Sequence, residues 1–321
     1  MTSAMPFRRL FVITVFAAAM LWFRTPPAPA SLQAGAARRS IAPPFPTHMG
    51  GFGDRNGTFE GVHDDLFVRA LVLDDDKTQL VIIGSDLMAI DGNMVQLVRA
   101  GIEQQTKIPA GNILVSCAHN HSAPSYYQKE RRGEKDIPLK DFLVDQFVKT
   151  AVEAFHNRVP ALAGFKAGEL RGATTNRQQG NDEVIDPQVG VLRVTRREDQ
   201  QPIAILFNFT GHPVILGSKN LLLSGEYPGA AARAVESLLG GVAIFTQGAC
   251  GDVTVHRSGD PYQEIERVGR TLAGEVIKRA GFIRGSEMLT LAAASRSLRL
   301  APRFIPKLAQ AQAALEKGQA A

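Results

Sequence analysis

Three apolar runs in this chain stop abruptly at turns carrying imidazole, hydroxyl or carboxylate groups, and that pattern limits what it can fold into. Residues 112–115, 203–209 and 242–246 are rich in branched and aromatic side chains, as strands buried in a sheet interior are. The first runs into Ser116-Cys117-Ala118-His119-Asn120-His121-Ser122-Ala123-Pro124 and the second into Thr210-Gly211-His212-Pro213. The third ends in Gln247-Gly248-Ala249-Cys250-Gly251-Asp252-Val253-Thr254. Polar groups at the ends of interior strands collect at one cleft in layered α/β folds, so three such endings point to a single site.

Alternate residues of an extended chain face the same way, so a strand pleat predicts that His119 and His121 project together. Two imidazoles there make half of a metal site, because zinc takes four ligands, or three and a water. Taken alone, His-x-His fits two ordinary loop histidines as well, and a lone His212 fits a structural role. Gly211 leaves room beside His212, Pro213 stops further pairing, and the third ending offers Asp252 and the Thr254 hydroxyl.

Helices and strands interleave around these endings, which makes the class mixed α/β. Strands are expected at 66–73, 80–84, 161–167 and 189–195, with a weakly alternating one at 288–300. Helical periods cover 91–105, 141–155, 228–239 and 262–280. The run Asp74-Asp75-Asp76-Lys77 reads as a solvated turn, since calcium-loop spacing and a closing Glu are missing. Met49-Gly50-Gly51-Phe52-Gly53-Asp54 and the stretch to His63 form a glycine-punctuated loop, able to approach a ligand closely or simply to turn. Residues 128–138 read as a charged loop, either a rim or lid or merely a long connection. Asp86 is either an outer partner to an imidazole or a turn residue.

Residues 1–30 stand apart. Arg8 and Arg9 precede an apolar run over 10–23, followed by Pro26, Pro27 and Ala28-Pro29-Ala30, the layout of a signal peptide. The expectation is an exported protein, periplasmic or extracellular. Residues 31–45 read as a flexible lead, 46–300 as the catalytic domain, and 301–321 as a truncated helical continuation. Without Arg8, Arg9 and Arg24 the chain keeps 33 basic against 31 acidic residues, so no nucleic-acid partner is expected. Cys117 and Cys250 do not make a disulfide framework and read as small buried residues. Oligomeric state is not fixed by the sequence.

His119-Asn120-His121-Ser122-Ala123-Pro124 resembles the Thr-His-Thr-His-Ser-Gly-Pro signature of neutral/alkaline non-lysosomal ceramidases. The likeness continues, in that family's order, through Met49-Gly50-Gly51, Gly61-Val62-His63, Asn176-Arg177, Asp186-Pro187-Gln188-Val189-Gly190, Asn208 to Pro213, and Gln247 to Thr254. It implies layered mixed β-sheets flanked by helices, and a Zn2+ ion held by His119 and His212. It further implies acid/base work for His121, a substrate-lining role for Arg177, and a polar wall at Thr254, where the family carries Ser. The implied reaction is zinc-assisted hydrolysis of an N-acyl sphingoid amide, with an N-acyl lipid substrate and transient contact with a membrane surface. The family's remaining zinc ligands, a Glu and a Tyr, belong to later motifs not found here. The alternative is a catalytically silent exported fragment or homologue with an incomplete zinc site.

Overall fold

The structure, a computed structural model, describes residues 31–126, 136–178, 184–301 and 306–319. The expected signal peptide and most of the charged loop, residues 127–135, lie outside the described residues. In chain order the strands are β1 (Gln33–Ser40), β2 (Gly61–Val62), β3 (Phe67–Asp74), β4 (Gln79–Ser85), β5 (Ile113–Cys117), β6 (Val159–Glu169) and β7 (Thr174–Asn176). They continue with β8 (Gln188–Arg196), β9 (Pro202–Phe209), β10 (Leu222–Leu223), β11 (Val242–Gln247) and β12 (Val253–Val255). The helices are α1 (Gly92–Thr106), α2 (Ile137–His156), α3 (Glu226–Leu239), α4 (Pro261–Gly281) and α5 (Leu308–Gln319).

Eight strands form one mixed sheet in the order β11-β9-β8-β6-β1-β3-β4-β5, with β10-β2 and β12-β7 as small companions. The β11-β9 and β4-β5 pairs at the two edges are parallel, and each needs a helical crossover. The sheet narrows at its middle, where β1 meets β6 through only Gln33↔Pro160 and Ala34↔Val159. About that waist it folds over, so that Leu71, Leu73 and Ala34 from one half pack against Val194, Ala204 and Ile244 from the other. The strand period explains the outer layers. Val68, Ala70 and Val72, alternating with Leu71 and Leu73 on β3, face Met94, Val98, Leu143 and Phe147 of α1 and α2. On the other half Ile205, Phe207 and Phe209 face Val235, Ile265, Val268 and Leu272 of α3 and α4. The arrangement is helix–sheet–sheet–helix, as the layered α/β expectation requires.

Several expectations are corrected. Most of the 31–45 segment is not a flexible lead: residues 33–40 are β1, a central strand paired with β3 along its whole length. Its small residues concealed this, because they serve close packing; a Cβ at Gly35 would lie 2.2 Å from the Ala154 carbonyl of α2. Helix α2 starts at Ile137, capped by Asp136, earlier than expected. The Asp74–Lys77 turn is solvated only in its second half: Asp76 and Lys77 are exposed, while Asp74 and Asp75 are buried and Asp75 accepts from the backbone of Lys77, Thr78 and Leu291. Residues 288–300 form no strand; the backbone there is tied through Leu291 to Asp75 and leaves Leu298 and Leu300 exposed. Asp86 is neither imidazole partner nor plain turn residue. It pairs with buried Arg69 through both carboxylate oxygens (2.9 Å each) and accepts from Phe67 N.

Gly84 on β4 sits where the two halves press closest, and a Cβ there would lie 2.7 Å from both the Phe245 carbonyl oxygen and Ile244 Cγ2 of β11. A backbone oxygen cannot turn aside, so Gly84→Ala is expected to cost about 2 kcal/mol as overpacking. Thermal unfolding should register that as a fall of roughly 5 °C. Gly274→Ala in α4, which meets nothing within 4 Å, should instead hold or raise the melting temperature.

Candidate metal centre

The end of β5 and the end of β9 are brought together by the folded sheet and then fixed by one amide. Gln247, the last residue of β11, donates through Nε2 to the carbonyls of Ala118 (2.9 Å) and Gly211 (2.8 Å). Its Oε1 accepts from Gly211 N and Gly248 N. Ala118 precedes His119 and Gly211 precedes His212, so one side chain sets both histidine-bearing turns. Asn120, fully buried between the imidazoles in sequence, donates to the carbonyls of Asp86 (3.0 Å) and Ser224 (2.6 Å) and accepts from Ser122 N.

The convergence of His119 and His121 does not come from a strand pleat, as the alternation predicted. β5 ends at Cys117, and His119 adopts a left-handed conformation with φ of 62°. The turn nonetheless directs both rings to His212. The ring centroids lie 5.1 Å (119–121), 4.5 Å (119–212) and 4.8 Å (121–212) apart. His121 Nε2 and His212 Nε2 are 3.0 Å apart. One nitrogen from each ring falls within 4.8 Å of the others, a set that could hold a metal ion.

The outer nitrogens fit that use. His119 Nδ1 donates to the Met88 carbonyl (3.2 Å) and His212 Nδ1 to the Cys250 carbonyl (3.0 Å). Those bonds set the tautomer that turns each Nε2 lone pair inward, the arrangement metal-bound imidazoles normally have. His121 differs: its Nδ1 is buried without a hydrogen-bond partner, pressed by Gly51. Gly51 has φ of 98°, and a Cβ there would lie 2.2 Å from His121 Nδ1, so glycine is required. Phe52 packs its ring on His121 at 5.0 Å.

The remaining candidates lie at the same place. Strand β7 pairs with β12, and Arg177 just beyond it is held by the Asp252 carbonyl through its N–H and by the Gly251 carbonyl through Nη2. Thr254 bridges to His212 in parallel register. Asp252 is turned to other work, accepting from Asn176 (2.9 Å). Arg177, Thr254 and the three histidines line one open cleft of about 770 Å³, with Phe52, Met88, Ala89, Val214, Ser125 and Arg257. A larger groove of about 1000 Å³ beside Arg158, Arg196 and Arg197 contains none of these residues.

Sequence reasoning missed Arg55 and Glu226, and it held Gln247 only as the opening residue of a strand-end motif, without a role. Arg55 is buried and donates to the carbonyls of Gly50, His121, Gly217 and Ser218, tying the glycine loop to the histidine turn. Glu226 is fully buried and accepts from the N–H groups of Ile215 and Leu216, just past His212. Burial pushes its carboxyl up to about 7, against those two hydrogen bonds. No spacing marks Arg55 or Glu226, since their partners are backbone atoms of loops that only the folded chain brings beside them. Both cysteines are free thiols, and burial raises Cys117 to about 11.

Burial, then the neighbouring imidazoles, Arg55 and Arg177, push His121 down to about 3. Burial likewise lowers His212 to about 4 and depresses His119. At neutral pH all three rings are uncharged, the state a metal ligand needs. In the unfolded chain they titrate near 6.5, so between about 6.5 and 4 it takes up protons that the fold refuses. Stability therefore rises with pH across that window and is lost on acidification. The metal-free protein should lose thermal stability steeply between pH 6.5 and 4, and His121→Gln should flatten the slope. Equal slopes in the two proteins would mean that His121 is not a source of the acid sensitivity.

Known proteins share this architecture. A solved neutral ceramidase from Pseudomonas aeruginosa superposes with a TM-score of 0.70 at 22% identity, over 79% of this chain and 45% of that one. A solved ceramidase complexed with C2 gives 0.71 at 20% identity, over 79% and 44%. The neutral ceramidase of Mycobacterium tuberculosis (strain ATCC 25618 / H37Rv) is 24% identical, over 70% of this chain and 41% of that protein. The chain thus spans less than half the length of these relatives. Residues 33–266 match the family described as neutral/alkaline non-lysosomal ceramidase, N-terminal, and the chain belongs to that family.

Proposed function

We propose that the cleft hydrolyses the amide bond of an N-acyl lipid, with an N-acyl sphingoid base as the substrate class and zinc as the ion. The observation that carries this reading is the inward convergence of three uncharged imidazoles at one end of an open, partly apolar cleft. His119 and His212 would hold the ion, because each has its outer nitrogen fixed by a carbonyl. Bound there, zinc supplies Lewis acidity, which makes water a nucleophile near neutral pH and polarises the acyl carbonyl.

The chain's own groups do the rest. His121 has no carbonyl on its outer nitrogen, which sets it apart from the two proposed ligands. The negative charge developing on the attacked carbonyl would offset the burial and arginine charges that hold its ring unprotonated, so that its Nε2 would take the proton of the attacking water. The same nitrogen returns that proton to the amide nitrogen, which is a poor leaving group until protonated. Arg177, pinned through the Gly251 carbonyl, offers its remaining N–H groups to the developing oxyanion. Thr254 supplies a hydroxyl on the wall beside His212, bulkier and stiffer than the Ser of the family pattern. Phe52, Met88, Ala89 and Val214 give the acyl chain an apolar lining.

Lipid substrates reside in membranes, and we extend the proposal to transient contact with a membrane surface. No helix among the described residues is long and apolar enough to cross one. Export rests on Arg8, Arg9 and the apolar run over 10–23. The rival reading, a catalytically silent homologue, predicts no metal-dependent turnover.

Zinc-loaded protein should carry one ion per chain and release fatty acid from a short-chain N-acyl sphingosine, with activity lost to a chelator and restored by zinc. His119→Ala and His212→Ala should each abolish stoichiometric zinc. His121→Gln should keep the metal and lower kcat by about 10²–10⁴. Loss of zinc in His121→Gln would make His121 a third ligand and remove the acid/base assignment. Gln247→Met, which unties both histidine turns at similar volume, should weaken zinc binding by about 10–100-fold.

A further inference from the structure

The loop that starts directly after His212 turns its two kinds of backbone group to opposite tasks. Its carbonyls serve the site: Pro213 O accepts from His121 N (3.2 Å), Val214 O from Arg257 Nη1 (3.1 Å), and Gly217 O and Ser218 O from Arg55. Two of its N–H groups, on Ile215 (3.1 Å) and Leu216 (3.0 Å), instead meet the carboxylate of Glu226, one on each oxygen. Val214 between them lines the cleft with His121, Arg177 and Arg257. One side chain thus grips the back of a strap whose front seats His121 by its backbone.

The grip is held in an unfavourable setting. Glu226 is fully buried, and its φ of 52° is a left-handed conformation. Its own N–H donates to Ser224 Oγ, which in turn donates to Asp64. Burial pushes its carboxyl up to about 7, against the two hydrogen bonds; Asp64 adds to the rise and Arg257 opposes it. The groups facing it from the surrounding elements are engaged elsewhere. Arg55, which feels its charge, is bonded to carbonyls, and Asp64 is held by Arg233 and His63. Tyr227 donates to the Gly211 carbonyl, and Glu264 of α4, which borders a small cavity with Ile215, pairs with Arg267. An ionised carboxylate offers an acceptor to each N–H, whereas a protonated one turns an oxygen into a donor.

Resting on the reading of the cleft as a hydrolase site, we infer that Glu226 is a positioning residue of the reaction: ionised, it holds the 213–218 strap that seats His121, and on taking up a proton it releases part of that strap. The proton comes from solvent and stays on a carboxylate oxygen, and Ile215 N or Leu216 N loses its acceptor. The buried Ile215 side chain stays in the cluster with Tyr227 and Ile265, so the seat loosens without unfolding.

The test compares zinc-loaded wild type with Glu226→Gln, an isosteric stand-in for the protonated side chain, on a short-chain N-acyl sphingosine. The acid limb of wild type alone decides nothing, because zinc-bound water ionises near the same pH. The ratio of the two kcat values cancels that limb. It should be about tenfold at about pH 8, as for loss of an outer support to a metal centre. With a carboxyl at about 7 it should shrink to about twofold at about pH 6. A purely structural support gives a ratio that pH does not move. The second readout needs neither variant nor substrate: by amide NMR of wild type, the Ile215 and Leu216 N–H signals should shift with a midpoint near 7, and in Glu226→Gln they should not. A kcat ratio independent of pH, or amide signals that stay put in wild type, overturns the inference and leaves the hydrolase reading standing. No turnover by either protein, with those amides titrating and zinc held more weakly by Glu226→Gln, overturns the hydrolase reading and upholds the anchor. No turnover together with amides that do not titrate, or with zinc binding unchanged, overturns both.

Discussion

The amide of Gln247 is the point on which the centre hangs. Its two N–H donors reach the carbonyls before His119 and His212, and its oxygen receives two backbone N–H groups, so the hydrogen-bonding capacity of the group is filled. It can do this only because β11 lies parallel to β9 and the folded sheet brings β5 across to meet them. A buried network with every member satisfied is stiff and specific, while a partly satisfied one costs stability. The position of two histidines separated by more than ninety residues is therefore a property of sheet topology, transmitted through one side chain.

The electrostatics follow from the same packing. Arg55 is buried beneath the glycine loop with backbone carbonyls as its hydrogen-bond partners, and its charge, with that of Arg177, opposes protonation of His121. Buried imidazoles 3.0 Å apart cannot both be charged, and burial already disfavours the first proton. The unfavourable desolvation thus keeps the nitrogen lone pairs free at neutral pH. The same term makes the centre sensitive to acid.

The interior of the fold was legible where the sequence period is strong. The strands at 113–117, 203–209 and 242–247 and the helices α1 and α4 lie within a residue or two of their expected places, because branched runs and 3.6-residue periods report burial directly. Residues 33–40 hid among small side chains whose purpose is the approach of α2. Buried Asp75 hid in an acidic turn that composition alone makes polar. The histidines were found for a reason that proved wrong: a pleat was expected, and a left-handed turn does the work. Arg55 and Glu226 bind loop backbone that only the tertiary fold brings near, so no local pattern marks them; Gln247 stood in a strand ending that was singled out, but its bonds to the two histidine turns depend on sheet topology.

Backbone conformation gives the last link. Five non-glycine residues with positive φ lie among the described residues: Asp76, Lys107, Gln200, His119 and Glu226. The first three sit in turns or helix ends, where such a conformation is ordinary. The other two bear on the centre itself. His119 carries a proposed ligand, and Glu226 is buried at the start of α3 while holding the loop after His212. A left-handed conformation costs such residues about 1–2 kcal/mol, and it persists only where surrounding contacts over-determine it. Here those contacts are the Met88 carbonyl on His119, the Ala118 and Gly211 carbonyls on Gln247, and two N–H groups on Glu226. At the centre the strain thus falls on the histidine turn and on the helix start that braces the loop after His212, while the strands leading into the site stay regular. A rigid sheet supplies the reference frame, and the two strained residues set the aim.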